Sequence, residues 1–426
     1  MKKLFIINMS FLIVLFSCNG QSIKKKNIEI LNTVWNTINN QYFDDSFNGL
    51  DWKKEYEIYK PTIENCKSND SLYYYLNQML FKLNVSHLGV VPPDEANTVG
   101  DPQLFLDGTV GIDVRYINQK AIVISVQENS SAKNAKIKQG YEIIEIGNNK
   151  ISTIVAEREK EPTPPFNTRN LNAMISQDII RKLYGIPKET ISLTYLDENK
   201  KTHKAILQLE QQNVRKESLL PNLPEIYARV SSKLIKNDIA YIKFDVFHPV
   251  ILDEIIQSIS KYNNIPNLII DIRGNPGGDF DTRRSIASQF VSDRTLFWKY
   301  KSRNETREVY LNPVTKPFNG KLIILIDELS GSSSEEFAGG MQDIGRATII
   351  GNQTAGKVLT MEVVPLPDGA IFVYPNSQTI TAKDNILEGI GVVPNIKVDL
   401  SQKSLLQNRD IQLEKAIEYL NNKLHN

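Results

Sequence analysis

The second half of the chain alternates between short apolar runs and longer stretches with helical periodicity, and this alternation constrains the fold more than any other feature. Apolar runs of strand length lie at residues 240–244, 268–271, 322–326 and 347–350. Between them, helical spacing of apolar residues lies at 251–262, 282–290 and 332–344. Continuously apolar strands that alternate with helices form a parallel or mixed sheet covered by helices. The sequence therefore predicts an α/β domain whose functional groups gather at the carboxyl ends of its strands.

The first half of the chain has a different pattern, so the 426 residues are expected to form two or three domains. Apolar residues recur at helical spacing within 28–38 and 72–83, whereas 121–126 and 141–146 have the pattern of strands. A proline-containing stretch at 152–187, with a predicted helix at 170–183, interrupts the strands as an insertion or connector. We predict a helical module at 28–95, a β-rich module at 108–210, the α/β domain at 225–400 and a C-terminal helix within 405–426, centred on an amphipathic stretch at 407–423.

Four serines lie in the turn that follows the predicted strand at 322–326, namely Ser330, Ser332, Ser333 and Ser334. A serine at a strand-to-helix turn exposes its hydroxyl, and the helix N-terminus stabilises negative charge that develops there. Serines at this position also serve as N-caps, with Glu335 or Glu336 completing a capping box. The cluster by itself therefore leaves two interpretations open, a nucleophile and a helix cap.

A glycine-rich turn follows the preceding strand and favours the catalytic interpretation. Gly277 and Gly278 allow backbone N–H groups to point into one cleft, where each such donor stabilises an oxyanion by about 3 kcal/mol. A phosphate-binding loop is the alternative, but the chain lacks a Gly-Lys-Ser/Thr sequence after this turn and a G-x-G-x-x-G pattern. We expect Asp271 and Arg273 to support the loop structurally.

Together these motifs resemble those of the C-terminal processing and tricorn-type serine peptidases. DIRGNPGG at 271–278 is similar to the family's strand and oxyanion motif, and SGSSSE at 330–335 is similar to its nucleophile segment. In that segment the catalytic serine lies three residues before the glutamate, and this spacing selects Ser332. The resemblance then implies two oxyanion donors, the N–H of Ser333 and the N–H of Gly277 or Gly278. The resemblance also implies a ClpP/crotonase-like α/β catalytic domain and a PDZ-like module at 108–210. The sequence KQGY at 138–141 departs from the usual Gly-Asp pair of that module.

Two branches of this family activate the serine with different bases. In the processing branch the base is a lysine, to which Lys357 corresponds, although Met361 replaces the glutamine usual in that branch. In the tricorn branch the base is the histidine of a Ser-His pair that ends the helical module. Here that pair is Ser86 and His87, and the orienting glutamate corresponds to Glu388, while Asn395 replaces a usual aspartate. We favour a triad of Ser332, His87 and Glu388 assisted by Ser86, with Lys357 as the alternative base.

The N-terminus has the pattern of a bacterial lipoprotein signal peptide, residues 1–18. A basic start precedes an apolar run from Leu4 to Phe16, and LFSC at 15–18 resembles a lipobox in which Cys18 is lipidated. A plain signal peptide with an incidental cysteine is the alternative. The pattern predicts an exported, lipid-anchored protein of the cell envelope, facing the periplasm or in the outer membrane. Cys66 is the only other cysteine, so the mature chain has no disulfide partner for it.

The formal net charge is +1, with 50 basic and 49 acidic residues, which gives no electrostatic support for nucleic-acid binding. We predict a serine peptidase that hydrolyses unfolded or tail-exposed polypeptides through an acyl-enzyme at Ser332, without metal or organic cofactor. An extended substrate would add a strand to the edge of the PDZ-like module. The alternatives are an inactive ligand- or peptide-binding lipoprotein on the same scaffold, as in the retinoid-binding relatives of this family, and an esterase. The esterase pattern G-x-S-x-G is absent around Ser332.

Overall fold

The computed structural model describes residues 7–93, 106–218 and 225–422, without the side chains of residues 7–21 and 422. The chain divides into two compact units. The first consists of Met1–Ala96, Lys301–Thr306 and Leu359–Gln378, and the second of Asn97–Tyr300, Arg307–Val358 and Thr379–Asn426. Among the helices of the described residues, none has both the length and the apolar character needed to span a bilayer.

The helices have the following bounds: α1 Ile7–Gln41, α2 Trp52–Glu64, α3 Asn69–Leu80, α4 Ser131–Asn134, α5 Ile151–Lys160, α6 Thr168–Arg181, α7 Pro249–Lys261, α8 Phe280–Ser288, α9 Ser333–Asp343, α10 Gln402–Leu406 and α11 Ile411–Asn422. The strands of the first half are β1 Gly89–Val91, β2 Gly108–Thr109, β3 Ile112–Ile117, β4 Lys120–Val126, β5 Glu142–Ile146, β6 Asn149–Lys150, β7 Tyr184–Gly185, β8 Thr190–Leu196, β9 Thr202–Gln208, β10 Glu210–Gln211 and β11 Arg215–Ser218. Those of the second half are β12 Glu225–Ala228, β13 Val230–Lys236, β14 Ile239–Phe244, β15 Asn267–Asp271, β16 Thr295–Lys301, β17 Thr306–Leu311, β18 Lys321–Ile326, β19 Ala347–Gly351, β20 Thr360–Pro365, β21 Ile371–Thr381 and β22 Ile396–Lys397.

The first unit is built on the predicted helices, which pack their apolar faces into one core. Asp51 and Ser68 cap the second and third helices by accepting hydrogen bonds from backbone N–H groups of the first turn. The indole N–H groups of Trp35 and Trp52 each donate to the other residue's carbonyl, at 3.0 and 3.3 Å, which joins α1 to α2. Strand β1 follows the helices and pairs antiparallel with β21, with Gly89 opposite Val373. The segment that carries Ser86 and His87 thus lies between α3 and a paired strand.

The middle of the chain forms a five-stranded antiparallel path, β3-β4-β5-β8-β9, which belongs to the second unit. Both strands predicted at 121–126 and 141–146 are present, and the insertion contains the helix pair α5 and α6. Apolar residues of the sheet and of α6, such as Val114, Val123 and Ile179, share one core. At the β3 edge, the Tyr116 N–H donates to Ser176 Oγ of α6 at 2.9 Å. A peptide strand added at this point of the edge would have to displace Ser176; the PDZ-like assignment itself stays a prediction.

The predicted α/β domain contains a six-stranded sheet of order β13-β14-β15-β18-β19-β22. Strands β13 and β14 are antiparallel, and the remaining neighbours are parallel, so the predicted mixed sheet is confirmed. Alternate residues point to opposite faces: Leu268 and Ile270 join the core that includes α7, α8 and α9, whereas Ile269 joins the core that includes α11. Burial of both faces explains why these strands are continuously apolar.

The C-terminal region differs from the single helix predicted at 407–423. It contains two helices, α10 and α11, with a turn between them in which Asn408 has φ +54°. Asp410 accepts a hydrogen bond from the Leu413 N–H at 3.0 Å, which starts α11, and its carboxylate also pairs with Arg273 at 2.8 Å. The predicted helix thus corresponds to α11, which begins at Ile411 and not at residue 407.

Candidate active site

The residues predicted to carry the chemistry in the second unit follow three neighbouring parallel strands. Asp271 at the end of β15 lies opposite Leu325 of β18, and Ile326 of β18 lies opposite Gly351 of β19. The loops 272–279, 327–332 and 352–357 therefore leave the same edge of the sheet. This edge is the carboxyl end of the strands, where functional groups of open α/β sheets gather.

Ser332 lies at the N-terminus of α9 in a conformation that a non-glycine residue seldom adopts. Its backbone has φ +50° and ψ −118°, and its side chain is half-buried. Its N–H donates to the Lys357 carbonyl at 2.9 Å and to Glu335 Oε2 at 3.2 Å. Such backbone strain costs about 1–3 kcal/mol and persists where the surroundings impose it, often at functional sites. The contact with Glu335 is half of the capping box, so the cap and the nucleophile interpretations apply to the same residue.

The glycine turn packs directly against Ser332. Gly277 and Gly278 have φ +115° and +132°, and a Cβ on Gly277 would lie 2.8 Å from Ser332 Cβ. The Gly277 N–H donates to Asn275 Oδ1 at 2.9 Å, so it is engaged within its own loop. Ser333 Oγ donates to the Gly278 carbonyl at 2.8 Å and joins the loop to α9. Of the predicted oxyanion donors, the Gly278 and Ser333 N–H groups have no acceptor within the described residues.

Two buried aspartates hold the loops that carry the glycines and the serines. Burial opposes ionisation of Asp271, but Arg273, Lys243 and the Tyr241 hydroxyl together outweigh it and lower the pKa of that carboxyl below its usual value. Asp327 Oδ1 accepts from the Gly274 N–H at 2.8 Å, and its Oδ2 pairs with Arg115 at 2.9 Å. The contacts of Asp271 and Arg273 give both residues the structural role expected from the sequence, which is to support the loop.

Glu335 connects the nucleophile turn to the loop after β19. Its Oε1 accepts from Thr354 Oγ1 at 2.5 Å and the Gly356 N–H at 2.8 Å. Its Oε2 accepts from the N–H groups of Lys357, at 2.8 Å, and Ser332. Burial raises the pKa of this carboxyl although these hydrogen bonds oppose the rise. The sequence predicts Glu335 only as a capping residue. The signal for its further contacts is its position three residues after Ser332.

Lys357 is joined to Ser332 through its backbone, and its side chain is a perturbed cation. Its N–H donates to Glu335 and its carbonyl accepts from Ser332. Burial lowers the pKa of its ammonium group to about 8, against the attraction of Glu335 and Glu388, while Arg158 lowers it further. A lysine with this pKa supplies a fraction of neutral amine near pH 7.

Ser86 and His87 belong to the first unit and form a local pair. Ser86 is buried, and its Oγ lies 2.8 Å from His87 Nδ1. When Nδ1 carries the proton and donates to Ser86, Nε2 is the basic nitrogen of the ring. The backbone of His87 has φ +55°, a second non-glycine residue in the left-handed region among the predicted site residues.

Glu388 and the other histidines complete the set of candidate residues. Glu388, in the second unit, accepts from the Val358 N–H at 3.0 Å through Oε2. His248 caps α7 by accepting from the Val250 N–H at 3.0 Å. His203 lies 2.7 Å from Asp197. The side chain of Cys18 and the whole of His425 lie outside the described residues.

Two families match the chain. Residues 238–398 match Peptidase family S41, and residues 24–81 match the Tricorn protease C1 domain. Among curated proteins, the chain is 22% identical over 409 residues to a carboxyl-terminal-processing protease of Picosynechococcus sp., covering 92% of this chain and 89% of that protein. It is also 22% identical over 380 residues to the chloroplastic carboxyl-terminal-processing peptidase 3 of Arabidopsis thaliana, covering 85% and 67%.

Solved structures share the fold. The photosystem II D1 C-terminal processing protease superposes with a TM-score of 0.57 at 19% identity, covering 90% of this chain and 96% of that chain. Mature CPAF in complex with lactacystin gives a TM-score of 0.62 at 14% identity, covering 94% and 97%. The tricorn protease gives 0.53 at 17% identity, covering 95% of this chain and 37% of its own.

Proposed function

Since this chain belongs to peptidase family S41 and is a serine peptidase of the carboxyl-terminal-processing type, we propose that it cleaves peptide bonds through an acyl-enzyme formed on Ser332. The observation that carries the proposal is the strained backbone of Ser332 at the start of α9, packed against the glycine turn. An inactive binding protein on this scaffold is not favoured by the family matches. The proposed substrates are unfolded or tail-exposed polypeptides.

The chemistry follows from the groups around the hydroxyl. Ser332 Oγ attacks the scissile carbonyl carbon while a base removes the hydroxyl proton, giving a tetrahedral intermediate with a negative oxygen. We assign the N–H groups of Gly278 and Ser333 as the donors to that oxygen, because the Gly277 N–H is bound to Asn275. The protonated base then gives its proton to the leaving amine, the C–N bond breaks, and water hydrolyses the ester that remains.

For the base we propose His87, with Ser86 holding Nδ1 and Glu388 as the orienting carboxylate. The support for His87 is the Ser-His motif, the 2.8 Å contact between the two side chains and the positive φ of the histidine. Lys357 is the alternative, supported by its lowered pKa and by its backbone contact with Ser332. A base within hydrogen-bond reach contributes about 10²- to 10⁴-fold to the rate.

Replacing the nucleophile tests the proposal. Ser332→Ala is expected to lower kcat for an unfolded protein substrate by roughly 10⁶-fold, the loss typical when a serine-peptidase nucleophile is removed. Ser292→Ala, which removes an exposed hydroxyl away from the site, is the matched control and is expected to keep full activity. A serine-directed phosphonate should label the native chain and the control at Ser332, and not the Ser332→Ala protein. Full activity of the Ser332→Ala protein would overturn the proposal.

We further propose that the chain is exported and anchored to a membrane of the cell envelope through a lipid on Cys18. The support is the basic start, the apolar run and the lipobox-like LFSC at 15–18. In a bacterium that processes lipoproteins, the native protein is expected to sediment with membranes, and Cys18→Ala is expected to release it. Cys66→Ala removes the other cysteine and should sediment like the native chain. Equal sedimentation of the Cys18→Ala and native proteins would contradict the anchor.

A further inference from the structure

The N-terminus of helix α6, in the insertion of the β-rich module, contacts two turns of the proposed active site within the second unit. The turns are 354–357, which ends in Lys357, and 388–390, which begins with Glu388. Asn167 is the N-cap of α6: its Oδ1 accepts from the Asn170 N–H at 2.8 Å. Its Nδ2 donates to the Ala355 and Gly389 carbonyls, each at 3.3 Å.

Arg169, in the first turn of the same helix, holds the same two turns. Its Nε donates to the Thr354 carbonyl at 3.2 Å. Its Nη2 donates to the carbonyls of Gly389, at 3.3 Å, and Ile390, at 2.8 Å. A guanidinium presents several donors in a fixed planar fork, so one side chain fixes the separation of two backbone segments. We call the set Asn167 and Arg169 the α6 clamp.

The turns that the α6 clamp holds are themselves joined to each other and to the nucleophile. The Gly389 N–H donates to the Gly356 carbonyl at 2.9 Å. Glu388 accepts from Val358, one residue beyond Lys357. Glu335 then links turn 354–357 to Ser332. A continuous set of hydrogen bonds thus connects α6 to the turn of Glu388 and to the Ser332 turn.

The helix that carries the clamp is itself held in place. Arg158 of α5 makes a two-pronged pair with Asp178 of α6, at 2.7 and 3.0 Å. Asn170, which is buried, donates to the carbonyls of Thr163 and Pro165 at 2.8 and 3.0 Å and so fixes the chain that enters α6. The N-terminal end of α6 is therefore anchored on both the module side and the catalytic side.

We propose that Asn167 and Arg169 are positioning residues for peptide hydrolysis, through which the β-rich module sets the geometry of Glu388 and Lys357 relative to Ser332. The proposal rests on the proposed function of Ser332. Neither side chain is assigned any contact with substrate. Their contribution is the placement of backbone carbonyls, so their loss is expected to reduce kcat and to leave KM almost unchanged.

The test compares Arg169→Ala with Lys182→Ala, which removes an exposed cation at the other end of the same helix. Activity is divided by the number of sites that a serine-directed phosphonate labels, because a folding defect lowers that number and not the turnover of each labelled site. Arg169→Ala is expected to lower kcat per labelled site by about 10- to 100-fold, the range that small displacements of catalytic groups produce. Lys182→Ala is expected to keep kcat within about two-fold of the native value, as exposed substitutions usually do.

Arg169→Lys distinguishes the effect of the positive charge from the effect of the parallel N–H donors of the guanidinium. It keeps the cation but loses the parallel donors, so it should resemble Arg169→Ala. Native turnover per labelled site in Arg169→Ala, or restoration by Arg169→Lys, would overturn the positioning role. The two proposals fail differently: activity in Ser332→Ala would overturn the nucleophile, whereas an inactive Ser332→Ala protein beside a fully active Arg169→Ala protein would overturn the clamp alone.

Discussion

The segment around His87 and the turn around Lys357 each supply a base candidate, and the two residues are held in place by different kinds of contact. In the first unit, His87 has a backbone φ of +55°, and its side chain contacts Ser86, with Nδ1 2.8 Å from Ser86 Oγ. In the second unit, Lys357 is held by its own backbone, with both its N–H and its carbonyl hydrogen-bonded. The perturbation of the lysine comes from burial of its ammonium group.

This difference shows which feature of each residue depends on its identity. The hydrogen bonds of Lys357 to Glu335 and Ser332 use main-chain atoms, so any residue other than proline could make them. The contact of His87 with Ser86 uses a ring nitrogen, and it selects the tautomer that leaves Nε2 basic when Nδ1 donates. The structural work at position 357 is thus independent of the lysine side chain, whereas the contact at position 87 requires histidine.

The largest expected difference between the two regions is the loss of kcat/KM when one or the other side chain is removed. We expect His87→Ala to lower kcat/KM by about 10²- to 10⁴-fold, the usual contribution of a general base. Lys357→Met keeps the backbone contacts and an apolar stem of similar length, and it should lower kcat/KM by no more than about ten-fold because it removes only a cation near the site. Steady-state hydrolysis of one unfolded substrate measures both.

Thermal unfolding serves as the control, since both variants must be folded before their rates are compared. The reverse ranking, with Lys357→Met inactive and His87→Ala nearly native, would replace the histidine with the lysine as the base. Equal and complete loss in both variants would also contradict the proposal, because it gives the lysine an essential role that backbone contacts do not require.

The arrangement of the sheet around the serine and glycine turns could be predicted from the sequence. The apolar runs at 268–271 and 322–326 predicted buried parallel strands because both faces of those strands are covered. The order of strands and helices then placed the serine and glycine turns at one edge. Local patterns of this kind are visible in a sequence, because continuous apolar runs and helical spacing both lie within short segments of the chain.

Contacts between distant segments were not predictable in the same way. Arg169 lies 185 to 221 positions before the carbonyls it holds, and no periodicity links them. The engagement of the Gly277 N–H by Asn275 depends on the detailed course of one turn. Glu335 was visible as a cap, but its contacts with Thr354 and Gly356 required the register of β18 against β19.

The smallest expected effect is a displacement of the pH profile, and it is the one that compares the two bases without altering either. A general base acts only when it is unprotonated, so kcat/KM rises with pH through the pKa of the base in the free enzyme. With His87 as the base, the midpoint belongs to a group other than Lys357 and does not depend on the lysine side chain. Lys357 would place it near its pKa of about 8, and at pH 7 only about one tenth of the amine would be neutral.

The Lys357→Met protein sharpens this measurement because it removes one of the two candidate bases. If the histidine is the base, the midpoint stays where the native chain has it, since the residue that titrates is still present. A native midpoint near 8 that disappears in Lys357→Met would identify the lysine. Measuring kcat/KM from pH 5 to 9 on native and Lys357→Met chains that remain folded throughout distinguishes these outcomes, because the substitution removes the titrating group in only one of them.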